Sequence, residues 1–304
     1  MINPLVSICI PTYNYAHYLP QALSGCLNQS YEQIEIVIVD DASTDNSVAV
    51  VNSFADSRIR FATNPRRLGL VENWNKALSL VRGEIVKFIF ADDYPAADAI
   101  EKFVQAFEGP SVDLAFSSCR QIGAAGEYLY THQPYPETRR LPRSAEAKRC
   151  LVEGNYIGSP SSVAVRAAAL KDVGAFNELL RFHADQEMWI RILLNGDGYF
   201  LAEPLVSVRI HDGSETKRLE QANQIKIEMQ KFIKSCLSHP QIGALFSDSE
   251  AAEWVERNRP RPSPKGEAQR EFIKRLIKKT PLYCLRQNRL RWKSEKAKLR
   301  TGNG

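Results

Sequence analysis

The acidic pair Asp92-Asp93 is where residue type and setting first point to chemistry. It ends the mostly apolar run Ile85 to Phe90, whose one charge is Lys87, and is followed by the turn-forming Tyr94-Pro95. Adjacent carboxylates repel unless a cation or a hydrogen-bond network compensates, and hard oxygen ligands suit Mg2+ or Mn2+. Alone, the pair reads equally as a solvated turn, because Asp is a common turn residue. Two more polar clusters follow apolar runs: Pro11-Thr12-Tyr13-Asn14 after Leu5 to Ile10, and Asp40-Asp41 after Ile34 to Val39.

The elements that carry these clusters alternate. The run Leu5 to Ile10 predicts a strand, and Tyr18, Leu19, Ala22, Leu23, Cys26 and Leu27 make a helical stripe after it. Ile34 to Val39 predicts the next strand, and Ser43 or Thr44 can cap a helix over Asp45 to Phe54. A weaker strand over Arg58 to Ala62 and a helix from Gly69 to Gly83 lead to the strand that ends at Asp92-Asp93. Strand–helix alternation with short connections predicts an α/β fold with a mostly parallel sheet and flanking helices. Such crossovers put every carboxyl end on one rim, where open α/β sheets hold ligands. Three polar strand ends on that rim favour the site reading over the turn reading.

Further on, Ala97 to Phe107 predicts a helix and Val112 to Ser117 a strand, and Gly123 to Pro142 is loop-like. Gly154 to Arg166 brings small residues to a β-rich Val-Ala-Val, followed by helices near Ala167 to Val173 and Asp185 to Leu194. Strands are predicted at Tyr199 to Leu201 and Leu205 to Ile210, then an amphipathic helix over Glu220 to Leu237.

The chain has 304 residues and a net charge of +5, unevenly spread. Residues 257–304 hold 16 Lys and Arg against 3 Asp and Glu, so a mildly acidic body carries a basic tail. That tail interleaves Phe272, Leu276, Leu282 and Trp292 with its cations, which fits an interfacial helix on anionic lipid, a partner-binding helix or a disordered end. No recognised module accompanies the charge, which argues against nucleic acid. The six cysteines have no metal-like spacing and read as reduced thiols of a cytoplasmic protein. The start of the chain has no basic segment and no long apolar run, so neither a signal peptide nor a membrane span is expected.

The segments VSICIPTYNYAHYLPQAL, EIVIVDDASTDNS, RLGLVENWNKAL and IVKFIFADD, in this order and spacing, resemble family 2 glycosyltransferases of the GT-A fold. The resemblance covers roughly residues 4 to 212 and implies a nucleotide-sugar site on the rim. Pro11 and Asn14 would shape the first turn, Tyr13 would lie along the base, and Asp41, or else Asp40, would accept the imide proton of uracil. Asp92-Asp93 would match the signature that holds Mn2+ or Mg2+ against the diphosphate. Phe90-Ala91 stand where a fuller signature adds an acid, so which Asp holds the ion and which the ribose stays open. Arg66 and Arg67 could assist, or be a solvated loop.

The stretch His183 to Arg191 resembles the family's helix start that carries the base, with Asp185 on the base position and Ala184 replacing an acid. An Asp near a helix amino terminus is held ionised, though it could instead be a plain N-cap; Glu187 and His183 are fallbacks. Gly158 would line the sugar and acceptor side, and His211 would sit near metal or phosphate. The resemblance implies inverting, metal-dependent transfer from a UDP-linked sugar to a saccharide or lipid-linked acceptor in surface polysaccharide or glycolipid synthesis. It also implies a GT-A domain over 1–212 (nucleotide half 1–95, acceptor half 96–212), a helical extension over 213–258, and a Pro-rich linker with the basic tail over 259–304. The location that follows is cytoplasmic, with peripheral contact at the inner membrane face. A catalytically idle sugar-nucleotide-binding or scaffolding relative is the alternative, and a sugar nucleotidylyltransferase is disfavoured because PTYNYAH is not its Gly-rich signature.

Overall fold

A computed structural model describes residues 3–109, 111–221, 224–245, 247, 249, 250, 253 and 254. The chain divides into two compact units, Met1–Ala222 and Asn223–Gly304. The Pro-rich linker and basic tail expected over 259–304 lie outside the described residues. Among the described residues, no helix is long and apolar enough to cross a membrane.

The first unit is built on a mixed sheet that begins parallel. Strands β1 (Val6–Thr12) and β2 (Ile34–Asp40) are buried along their whole length, as apolar runs covered by helices on both faces should be. Between them lies helix α1 (Leu19–Leu27), and α2 (Ser47–Asn52) and β3 (Ile59–Thr63) follow. Helix α3 (Leu70–Leu78) then leads into β4 (Ile85–Phe88). The sheet order is β3-β2-β1-β4, all parallel. Leu19, Leu23 and Cys26 of α1 pack against Ile8, Ile10 and Ile36 in the main core.

Pro11 lies in a central strand, where a missing N–H would normally break the ladder. Pairing with β4 ends at Cys9 opposite Phe88, with Ile89 N donating to Cys9 O at 3.0 Å. Pro11 has the same strand parity as Cys9, so its missing donor points to the side β4 has just left. The apolar run therefore stops pairing at Phe88 and not at Phe90, and the chain turns there, with Asp93 N donating to Phe90 O at 3.0 Å.

Tyr94–Pro95 forms a short strand, β5, and not only a turn. It is followed by α4 (Ala99–Ala106) and β6 (Val112–Ile122). The expected loop over Gly123 to Pro142 contains two strands, β7 (Tyr128–His132) and β8 (Arg139–Leu141). The prolines around them hid a β-prone Tyr-Leu-Tyr-Thr-His segment. Helix α5 (Ala145–Glu153), strand β9 (Val163–Arg166), and helices α6 (Ala167–Val173) and α7 (Ala184–Asn195) come next. The two strands expected before His211 are one bulged strand, β10 (Asp197–Arg209). Its register shifts fall around Pro204, where a bulge tolerates the missing donor.

The sheet continues β9-β6-β10-β5. Strand β9 is antiparallel to both β4 and β6, whereas β10 runs parallel to β6. Reversed in this way, β9 starts on the rim where its neighbours end, and residues 154–162 join the other strand ends there. Helix α8 (Glu215–Gln221) closes the described part of this unit, and α9 (Gln224–Ser238) and α10 (Pro240–Gly243) belong to the second.

Candidate functional site

The first two strand ends are laced together by polar side chains. Asn14 adopts a left-handed backbone at φ 59°, which Asn tolerates better than most residues. Its N–H donates to Ser43 Oγ at 2.8 Å, and its Oδ1 accepts from Thr44 N at 2.8 Å. Ser43 therefore bridges loops and caps no helix; Asn46 holds the N-cap position of α2, without a side-chain bond. Asp40 is buried and accepts from Ser43 N at 2.9 Å and from its hydroxyl, which makes it a turn-builder. Asp41 accepts from Leu68 N at 2.7 Å, Gly69 N at 2.9 Å and Asn64 Nδ2 at 2.9 Å. A carboxylate offers about four acceptor positions, so about one is left on a side chain that lines the cavity. Arg67 stacks over the Tyr13 ring, 4.0 Å from its centroid, and both line the cavity.

The Asp92-Asp93 turn is held from three directions. Asp93 is 3% exposed, and its Oδ1 accepts from Arg209 N at 2.8 Å. Burial, reinforced by the Asp92 charge, pushes its carboxyl well above the ordinary value, against bonds from Ser161 and Arg209. Lys87, 0% exposed, donates to Phe88 O at 3.1 Å and to Ser161 O, and burial pushes its pKa down to about 7. Ser161 Oγ in turn accepts from Phe90 N at 2.9 Å. Arg209 closes the third side: its guanidinium donates to Asp92 O at 3.0 Å, Gly123 O at 3.1 Å, Ala124 O at 3.0 Å and Gln21 Oε1 at 2.7 Å.

Asp92 is turned the other way. Its Oδ2 lies 3.0 Å from His211 Nε2, and both residues line the cavity. The His211 ring is backed by Tyr18 at 5.2 Å and Tyr15 at 5.8 Å between centroids. Burial, then the Asp92 charge, raises the Tyr15 phenol above its ordinary value. Among the described residues no group of three His, Cys, Asp or Glu forms a ready-made metal cage. One carboxylate and one imidazole side by side fit a divalent ion that takes the rest of its shell from water and phosphate.

Across the cavity, Asp185 is the second residue of α7 and not its N-cap, which is His183. Asn155 Nδ2 donates to Asp185 Oδ2 at 2.9 Å and reaches Gly158 O at 3.4 Å, while Asn155 Oδ1 accepts from Gly158 N at 3.3 Å. Gly158 has φ +96°, a conformation that glycine holds at little cost. Glu187 is turned to Arg191, Oε2 to Nη2 2.9 Å, and His183 Nδ1 meets Gln186 Oε1 at 3.0 Å.

A cavity of about 810 Å³ joins these pieces, lying wholly within the first unit. Pro11, Tyr13, Asn14, Asp41, Asp92, Asp93, Gly158, Asp185 and His211 all line it. Arg66 is exposed and outside the lining, whereas Arg67 is within it. Sequence reasoning passed over His17, Asn155, Arg181 and the Lys217-Arg218 pair of α8, which also line the cavity. Their only advance signal was charge or amide chemistry, which is common on any surface.

The family model described as Glycosyl transferase family 2 matches residues 7–174. A protein of Mycobacterium tuberculosis (strain CDC 1551 / Oshkosh), described as uncharacterized, is 29% identical over 262 residues, covering 83% of this chain and 82% of its own. Chondroitin synthase of Pasteurella multocida (strain Pm70) is 27% identical over 192 residues, which span 62% of this chain and only 19% of that protein. Among solved structures, S. aureus TarS 1-349 in complex with UDP-GlcNAc superposes with a TM-score of 0.66 at 20% identity, covering 83% of this chain and 72% of that one. The mannosyltransferase PcManGT of Pyrobaculum calidifontis, in complex with GDP-Man and Mn2+, gives a TM-score of 0.54 at 20% identity over 92% and 82% of the two chains. The two structures share the fold, and the family model reaches from β1 through α6, more than half of the sequence. The chain belongs to glycosyl transferase family 2.

Proposed function

We propose that this chain is an inverting glycosyltransferase that moves a sugar from a UDP-linked donor to a saccharide or lipid-linked acceptor in surface polysaccharide or glycolipid synthesis. One observation carries the reading: a single cavity has Asp41 and Tyr13 at one side, the Asp92–His211 pair between, and Asp185 with Asn155 at the other. Tyr13, stacked with Arg67, offers a ring for the nucleobase, and Pro11 and Asn14 shape its turn. Asp41 has about one acceptor position to give. The uracil imide offers one N–H, whereas the guanine edge offers N1–H and an amino group together, so uridine is the better match. That TarS was solved with UDP-GlcNAc supports the choice.

Asp92 and His211 would hold Mg2+ or Mn2+, with Asp93 fixing the turn from below. When bound, such an ion supplies Lewis-acid stabilisation of the leaving diphosphate. Arg181, Lys217 and Arg218 add positive charge at the same cavity. Asp185 takes the proton from the acceptor hydroxyl as that oxygen attacks the anomeric carbon. The bond from anomeric carbon to phosphate oxygen breaks, its electron pair leaves with the diphosphate, and the sugar inverts. Asn155 keeps the Asp185 carboxylate aimed, and Gly158 lets the acceptor approach the backbone.

Calorimetry with UDP and GDP, with and without Mn2+, tests the donor site. UDP should bind about tenfold more tightly than GDP, the equivalent of one unmatched donor, and Mn2+ should strengthen it. His211→Ala should remove the Mn2+ effect and keep metal-free UDP binding. Mn2+-independent UDP affinity in the wild type would refute the metal assignment.

A further inference from the structure

The β6–β7 hairpin carries an aromatic ring that the donor and base residues leave unused. Tyr130 is 53% exposed, and its side chain meets no ring or hydrogen-bond partner among the described residues. Its register decides which way it faces. Tyr130 stands directly opposite Gln121 across the antiparallel ladder, and opposed residues share a face. Gln121 lines the cavity, so Tyr130 lies on the face that carries the cavity wall outward. His132, opposite Cys119, belongs to that face too, and its Cδ2 lies 3.5 Å from where a Cβ on Gly158 would stand. His132 Nε2 is 2.7 Å from Tyr156 O, which ties the hairpin to the loop that holds Gly158.

The register shift between Gln121 and Ile122 leaves Leu129 unopposed and sends Tyr128 to the other face, where its hydroxyl meets Thr131 Oγ1 at 3.1 Å. One unpartnered ring therefore continues the Gly158 side of the cavity. The chemistry of this wall differs from that of the donor side. Arg67, Arg181, Lys217 and Arg218 on the cavity lining suit phosphate, whereas Gln121 on that lining and Tyr130 opposite it, just outside, offer a neutral amide and an aromatic face. A pyranose presents just this combination to a protein: C–H groups on a flat face that pack on a ring, and hydroxyls at the rim that bond to an amide.

We propose that Tyr130, with Gln121 beside it, is a saccharide subsite of the acceptor, engaging a sugar unit beyond the one whose hydroxyl Asp185 deprotonates. This rests on reading the cavity as a glycosyltransferase site. It makes the acceptor an oligosaccharide of two or more units and not a single sugar.

The test uses the full chain and free oligosaccharides of glucose, galactose and N-acetylglucosamine, one to six units long. Affinity is followed by saturation-transfer NMR, and UDP affinity by calorimetry on the same samples. Wild type should bind at least one oligosaccharide more tightly than its monosaccharide, and Tyr130→Ala should weaken that binding about tenfold. Tyr130→Trp should retain it, and UDP affinity should be the same in all three proteins. The subsite is overturned if no oligosaccharide in the set binds, if Tyr130→Ala binds like wild type, or if Tyr130→Trp fails as Ala does. It is equally overturned if light scattering shows that Tyr130→Ala dissociates an oligomer, which would make the ring a contact between copies. Failure of wild type to bind UDP overturns the donor reading instead, so the two failures are distinct.

Discussion

Replacing Arg209 by Lys keeps the charge and removes the fork. The guanidinium makes four donations from three nitrogens: one to Asp92 O, two to Gly123 and Ala124 O, and one to Gln21 Oε1. It also lies 4.6 Å over the Tyr18 ring centroid, with the whole residue 7% exposed. An ammonium is a single point with three donors, so it can serve one of those three directions well. At least two charge-assisted bonds at about 1.5–3 kcal/mol each are lost, giving a destabilisation of about 3–6 kcal/mol. For a unit of this size that is a fall in melting temperature of about 10 °C. The Arg209 backbone N–H still reaches Asp93, so the fold should survive. Circular dichroism melts and urea titration at constant pH measure the effect. Calorimetry should also show Mn2+-strengthened UDP binding weakened, because the Asp92 carbonyl has lost its anchor. A Lys variant within about 1 kcal/mol of wild type would show that the fork is not what holds this turn.

Asp185→Asn preserves shape and removes the proposed base; kcat should fall by about 10²–10⁴ with UDP affinity unchanged, read by donor consumption in mass spectrometry, and retained turnover would exclude Asp185 as base. Gly83→Ala places a Cβ 2.6 Å from Leu5 O and 2.7 Å from Ser7 N, so it should cost about 1–3 kcal/mol in urea unfolding. Burial alone would raise the Glu35 carboxyl, but bonds from Ser7, Arg60 and the Arg82 N–H outweigh it and leave it below its ordinary 4.5. A lowered carboxylate stabilises above pH 4.5 and loses that contribution as pH falls through the folded value. Glu35→Gln should therefore flatten the acid limb of stability against pH, and an unchanged limb would contradict the assignment.

The sequence made the rim legible because apolar runs end abruptly in polar clusters, and β1, β2 and β4 with their following residues lie where those runs predict. What it hid depends on partners far along the chain. Arg209 reads as a charge after an apolar strand, and its role exists only through Gln21, 188 residues away, and the Gly123–Ala124 turn. Asp40 and Asp41 are alike in sequence, yet one builds a turn while the other receives the start of α3, a difference set by strand parity and neighbouring loops. The β7–β8 region was masked by prolines whose local meaning is loop, although pairing with β6 and β10 overrides it. Asn155 gave no signal, because an amide beside glycine is ordinary until a carboxylate stands 2.9 Å away.

Ser161 is shared between two halves of the cavity. Its carbonyl takes Lys87, its hydroxyl takes Phe90 N, and it bonds the Asp93 carboxylate, while its chain neighbours run back to Gly158 and Asn155. On the proposed reading, donor and acceptor would bind to parts of the chain that meet at Ser161. Reciprocity then governs the two affinities: whatever factor a bound nucleotide imposes on acceptor affinity, the acceptor must impose on the nucleotide. Loosening the junction, as Ser161→Ala would, should bring the two affinities toward independence, so that saturating one substrate no longer changes the dissociation constant of the other.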